Sequence, residues 1–169
     1  MQKDSLENKI QQLAESVGEF IKYWGFKEIH GRVWVHIYLS NQPITAKELT
    51  RKLGVTKGLI SMTLSELIAY QVIEKVNIGN AKSPGYQSNT DLVEVIYNVL
   101  RNRELKLTTK IQENIDSLLE SIDKEDRHSA EKLKRLHEMT GFAIESLKKL
   151  LENKVISTDR FKLLMKLIS

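Results

Sequence analysis

The chain has 169 residues, 41% of them hydrophobic, with a formal charge of +4 and a pI near 9.2. That length supports a real core in one domain or two small ones, and the mild basic excess permits an anionic partner without demanding one. The absence of cysteine excludes disulfides and thiol chemistry, and the lack of any run of 18 apolar residues gives no transmembrane helix to expect. The N-terminus is charged and amide-rich instead of forming an apolar signal core, so a cytoplasmic location is expected.

Residues 4–24 read as a helix, with Leu6, Ile10, Leu13, Val17, Phe20, Ile21 and Trp24 at spacings of three and four. After the break "GFKEIHG", the stretch "RVWVHIYLS" is dense in apolar residues and reads as a short buried helix, its β-branched content leaving a strand open. "NQP" ends it. Thr45 and Glu48 then form a capping-box pattern, and "AKELTRKL" stops at Gly54, which suits a left-handed cap. Thr56 starts a second helix, in which Ile60, Leu64 and Leu67 share one face. Two short helices joined by "GVT" make a helix-turn-helix. "VIEKVNI", "GNAKSPG" and "YQSN" follow as strand, turn and return strand, so the unit reads as a winged helix.

Asp91 and Glu94 open a further helix, whose apolar spacing runs from Val93 to Ile122. "DKEDRHS" breaks it. Leu133, Leu136, Thr140, Ala143, Leu147 and Leu150 then mark another long helix, and a last one is expected over 158–168. The fold class is therefore mainly α with a small β-hairpin wing: a winged helix-turn-helix domain plus long C-terminal helices. The expected division is 1–29, an N-terminal helix joining a dimer interface; 30–104, the winged helix; and 105–169, a helical dimerisation and effector region. A monomeric bundle is the other use for those C-terminal stripes.

The stretch from "YWGF" through "GRVWVHIYLSNQPITAKELTRKLGVTKGLISMTLSELIAYQVIEKV" to "NTDLVEVIYNVLRNRE" resembles the GbsR-type branch of the MarR-like winged-helix transcription regulators. The resemblance covers half the chain, and it implies a dimeric, cytoplasmic DNA-binding repressor and, in some members, a response to choline. Two positions depart from the pattern. Gln71 stands where the superfamily usually has glycine after the recognition helix, which predicts either backbone strain or a different turn. The wing tip offers Lys82 in place of an arginine.

A winged helix places its second helix, here 56–70, in the major groove. Opposite its apolar face lie Lys57, Gly58, Ser61, Met62 and Ser65, with Thr56 and the free first-turn N–H groups as a phosphate seat. Lys47, Arg51, Lys52, Lys75 and Lys82 are candidates for backbone phosphates, as is Arg32. An ordinary solvated helix face is the plain alternative. Gly58 suits either close approach to a phosphate or base edge, or tight helix packing.

Tyr23, Trp24, Trp34, Tyr38 and Tyr97, with Phe26, are either core packing or an aromatic cage for a quaternary ammonium. The four histidines show no metal-ligand spacing, and no catalytic signature appears, so neither an enzyme nor a cofactor is expected. The expected partners are double-stranded DNA, a second copy of the chain and a small effector. A winged-helix protein-interaction module is the alternative function.

Overall fold

The computed structural model describes residues 2–79, 83–122 and 127–152. The chain forms two compact units, 1–92 and 93–169. The first contains α1 (Gln2–Lys22), α2 (Glu28–Tyr38), β1 (Ile44–Thr45), α3 (Ala46–Leu53), α4 (Lys57–Ala69), β2 (Ile73–Val76) and β3 (Gly85–Ser88). At its end begins α5 (Leu92–Val99), which runs through a π-helical segment (Leu100–Leu105) into α6 (Lys106–Ser121); α7 (Arg127–Glu152) follows. The mainly helical class with a small antiparallel sheet is thus the observed one. The expected helix 158–168 and Lys82 lie outside the described residues.

The "RVWVHIYLS" ambiguity resolves as helix, and α2 begins earlier than the sequence pattern suggests. Its N-cap is Lys27, so Arg32 lies inside the helix and does not open it. The cause is His30, whose Nδ1 accepts the Lys27 N–H at 3.2 Å and caps the first turn.

Helix α1 ends at Lys22, leaving Trp24 in the following turn. Its apolar residues divide. Ala14 is fully buried, with Ile10, Val17 and Ile21 half-buried, whereas Leu6, Leu13, Phe20 and Trp24 are exposed. The crossing of α1 on α2 is set by two glycines. A Cβ on Gly31 would stand 2.8 Å from Gly18 Cα, and one on Gly18 would stand 2.7 Å from the Glu28 carbonyl oxygen. The two backbones therefore touch where any larger residue would part them.

The local signals of the helix-turn-helix form as the sequence implies. Thr45 accepts the Glu48 N–H at 3.2 Å, and Glu48 accepts the Thr45 N–H at 2.8 Å. Gly54 is left-handed at φ 64°. Leu49, Leu53, Ile60, Leu64 and Leu67 join Val33, Val35 and Ile37 of α2 in the core.

The sheet has one strand more than the expected hairpin. Its order is β1-β3-β2, all antiparallel, with Tyr86 facing Ile44 on one side and Lys75 on the other. Gly85 makes room for this, because a Cβ there would lie 2.5 Å from Ile78 and 2.7 Å from Pro43.

In the second unit α6 packs against α7, with Ile115, Ile144 and Leu151 buried. The buried seam of α7 includes Ile144 and Leu151, next to the predicted Ala143 and Leu150, and the predicted Leu136 is exposed. Thr140 Oγ1 donates to Gln112 Oε1 across the pair, and His137 Nε2 lies 3.0 Å from Asp116 Oδ1.

Gln71 does adopt the left-handed conformation, at φ 57°. The Val72 N–H reaches the Leu67 carbonyl at 3.2 Å and the Gln71 N–H reaches that of Ile68 at 2.8 Å. This is a Schellman ending, with Val72 and Leu67 both buried beneath it. A side chain in this conformation costs roughly 1–2 kcal/mol, partly offset by the entropy that glycine adds to the unfolded chain. Gln71→Gly is therefore expected to stabilise the protein by about 0.5–1 kcal/mol, read as a higher urea midpoint at unchanged slope.

Candidate nucleic-acid interface

Helix α4 is anchored on one side and open on the other. Ile60, Thr63, Leu64 and Leu67 are buried, whereas Lys57, Gly58, Ser61, Met62 and Ser65 are all exposed. Lys57 is the one charge on this open face, and Met62 keeps 43% of its surface in water. Thr56 caps the helix, accepting the Leu59 N–H at 3.3 Å. The other first-turn N–H groups face the N-terminal end, where helix geometry favours an anion.

Gly58 bears on the packing alternative directly. A Cβ there would meet nothing within 4 Å, so helix packing does not require the glycine.

The pitch of α4 is held from α2. Glu66 accepts a hydrogen bond from Lys27 Nζ at 2.8 Å and another from Nε2 of the buried His30. The Lys27 hydrogen bond chiefly, with that of His30, holds the Glu66 carboxyl below its usual range, against a smaller opposing effect of burial. Phe26 and Tyr70 pack edge-on at 5.8 Å beside this lock. Sequence reading missed the lock, because Glu66 lies 36 residues from His30 and no local pattern connects them.

The cationic candidates are spread over several elements. Lys47 and Arg51 are exposed on α3, and Lys75 is exposed on β2. Lys52 is engaged, its Nζ lying 2.6 Å from Glu7 Oε1 on α1. Arg32 is half-buried, with a buried Nε that has no hydrogen-bond partner among the described residues.

The five aromatic candidates are not gathered into one cage within the first unit. Trp34 and Tyr38 stack at 4.8 Å, ring on ring, and Trp34 Nε1 donates to Ser88 Oγ at 3.0 Å. Trp24 pairs instead with Phe20 at 6.1 Å, and Tyr23 is 92% exposed. Tyr97 is a buried residue of the second unit. Among the described residues no cluster of three His, Asp or Glu side chains could hold a metal ion, and no helix is long and apolar enough to cross a membrane.

No protein-family model matches the chain. It is 28% identical over 160 residues to the HTH-type transcriptional repressor OpcR of Bacillus subtilis (strain 168), covering 80% of this chain and 85% of OpcR. It is 26% identical over 113 residues to YvaV of the same organism, an HTH-type transcriptional regulator by assignment, covering 65% of this chain and 64% of YvaV. Among solved structures, one described as the crystal structure of a transcriptional regulator superposes with a TM-score of 0.70 at 14% identity, over 86% of this chain and 97% of the other. The winged-helix fold is shared with that structure, and the curated relatives are regulators, not enzymes.

His36, on α2, is buried beside Lys52 and Arg32. Burial first, then the two cations, lower its pKa from 6.5, with Glu7 opposing. The unfolded chain thus takes up this proton at higher pH than the folded one, so stability rises with pH through the window below 6.5. Glu66, lowered from 4.5, adds a second loss in more acid solution. Urea midpoints measured between pH 7.5 and 5.5 are expected to fall with acidification, and His36→Gln is expected to flatten that slope.

Proposed function

We propose that the chain is a DNA-binding transcriptional regulator of the GbsR-type, MarR-like kind, acting as a dimeric repressor on a pseudo-palindromic operator. The observation that carries this reading is the open face of α4. A well-anchored helix presents Lys57, Ser61, Met62 and Ser65 around a glycine that no packing contact requires. Lys57 suits phosphate or guanine, the serines suit bases or phosphates, and Met62 suits a thymine methyl. Gly58 lets the helix end come close to the DNA, and Lys47, Arg51 and Lys75 supply sequence-independent attraction.

A dimer is favoured by apolar surface left exposed in each unit: Leu6, Leu13 and Phe20 seven residues apart on α1, Leu107, Ile111 and Leu118 on α6, and Leu136, Met139 and Phe142 on α7. Two-fold symmetry would set the two recognition helices about 34 Å apart, one turn of DNA. The resemblance extends the reading to a small effector such as choline, which the exposed Trp24 would report by fluorescence.

Gel shifts on DNA selected from a random pool test the proposal. Gly58→Glu is expected to abolish binding with fold and dimer intact, because it places a carboxylate where a phosphate or base edge should sit. The pair Lys57→Ala and Ser61→Ala is expected to weaken binding by roughly 1–3 kcal/mol per lost base contact and to lower the salt slope. Unchanged binding by Gly58→Glu, or a monomer by light scattering, would overturn the reading.

A further inference from the structure

The wing is a short hairpin. Strands β2 and β3 have four residues each and pair from Ile73 with Ser88 to Val76 with Gly85. Two strands of that length are marginal in water until a third element fastens them. Near the tip the fastening is β1, which pairs with Gly85 and Tyr86 and does not extend along Gln87 and Ser88. The root of the hairpin therefore needs a second anchor if the wing is to leave α4 in one direction.

A side-chain relay supplies that anchor. Trp34 Nε1 on α2 donates to Ser88 Oγ at 3.0 Å, and Ser88 Oγ donates to the Val72 carbonyl at 3.0 Å. The Asn89 carbonyl, at 3.3 Å, is the more distant acceptor for the same proton. A hydroxyl accepts and donates at once, which an alanine could not do. Val72 lies between Gln71, which ends α4, and Ile73, which begins β2, so the relay joins α2 to both strands at their base. Tyr38, one turn further along α2, stacks on the indole at 4.8 Å and fixes its plane. The cation this root would aim is Lys75, exposed and paired in register with Tyr86. Strand alternation puts Lys75 on the opposite face from Glu74, whose carboxylate is taken by Gln87.

We propose that Trp34 is a positioning residue for the wing: through Ser88 and Val72 it fixes the direction of β2 and β3, so that Lys75 meets a backbone phosphate. Trp34 touches no DNA and acts only through the relay. The base contacts stay with α4, and the wing adds affinity and salt dependence without sequence preference. The inference rests on the DNA-binding reading and names a further residue on which that interface depends.

Gel shifts of the full chain on selected DNA, at several salt concentrations, test it. Lys75→Ala is expected to lower the slope of log affinity against log salt by about one per protomer. Trp34→Phe keeps a ring on Tyr38 and removes the donor; it is expected to lower the slope at least as far and to weaken binding several-fold. Adding Lys75→Ala to Trp34→Phe is expected to cost nothing further, because that contact is already lost. Ser88→Ala, the smaller change, is expected to reproduce Trp34→Phe, and Ser88→Thr, which keeps the hydroxyl, to restore the wild-type slope. A general loss of stability would give neither the altered slope nor the rescue. In a nitrogen NMR spectrum the Trp34 indole N–H is expected to exchange slowly in the wild type and fast in Ser88→Ala. A wild-type slope in Trp34→Phe and Ser88→Ala, additive losses in the double variant, or fast exchange of that N–H in the wild type would each overturn the inference alone. A wild-type chain that shifts no DNA would overturn the functional reading together with it.

Discussion

The seating of α4 is the constraint on which the structure turns. Ile60, Leu64 and Leu67 fix one face of the helix in a core shared with Leu49 and Leu53 of α3 and Val33 and Ile37 of α2. Glu66 fixes its rotation through Lys27 and His30. Burial of such side chains contributes roughly 1.5–3 kcal/mol each, whereas the exposed ion pair with Lys27 is worth little by itself. The greater cost would come from leaving His30 buried without its acceptor. Both faces of α4 follow from this: the inner one cannot move, and the outer one is left free with a single charge.

Helix α1 extends the same core. The Gly18–Gly31 contact brings two backbones together, which allows Ala14 to be buried and leaves a second apolar stripe of α1 in solvent. It also lays the start of α1 beside the end of α3, where Glu7 meets Lys52. One close crossing therefore gives the first unit both an outward apolar edge and an ion pair between α1 and α3.

Most of the first unit was legible in the sequence because its signals are local. The Thr45–Glu48 box, Gly54 and Thr56 each act within a few residues, and each forms as the pattern implies. The start of α2 was misread because its cap comes from His30, a residue type not associated with capping. Strand β1 was missed because two residues carry no periodicity and owe their pairing to Gly85. Gln71 carried an ambiguous signal: the left-handed turn is kept, and the Leu67–Val72 contact beneath it offsets the strain. Of the candidate site residues, the exposure of the α4 set could be read from helical spacing alone. The partners of Lys52 and Glu66 could not, since Glu7 and His30 reach them only through the tertiary fold.

That α4 enters the major groove is the central claim, and the absence of cysteine allows a direct measurement. A chain with Ser65→Cys, carrying an iron chelate on that single thiol, would cut DNA wherever α4 lies. The account predicts cleavage of the selected operator at two positions about one helical turn apart. Bound DNA left uncut by the Ser65→Cys conjugate would contradict it.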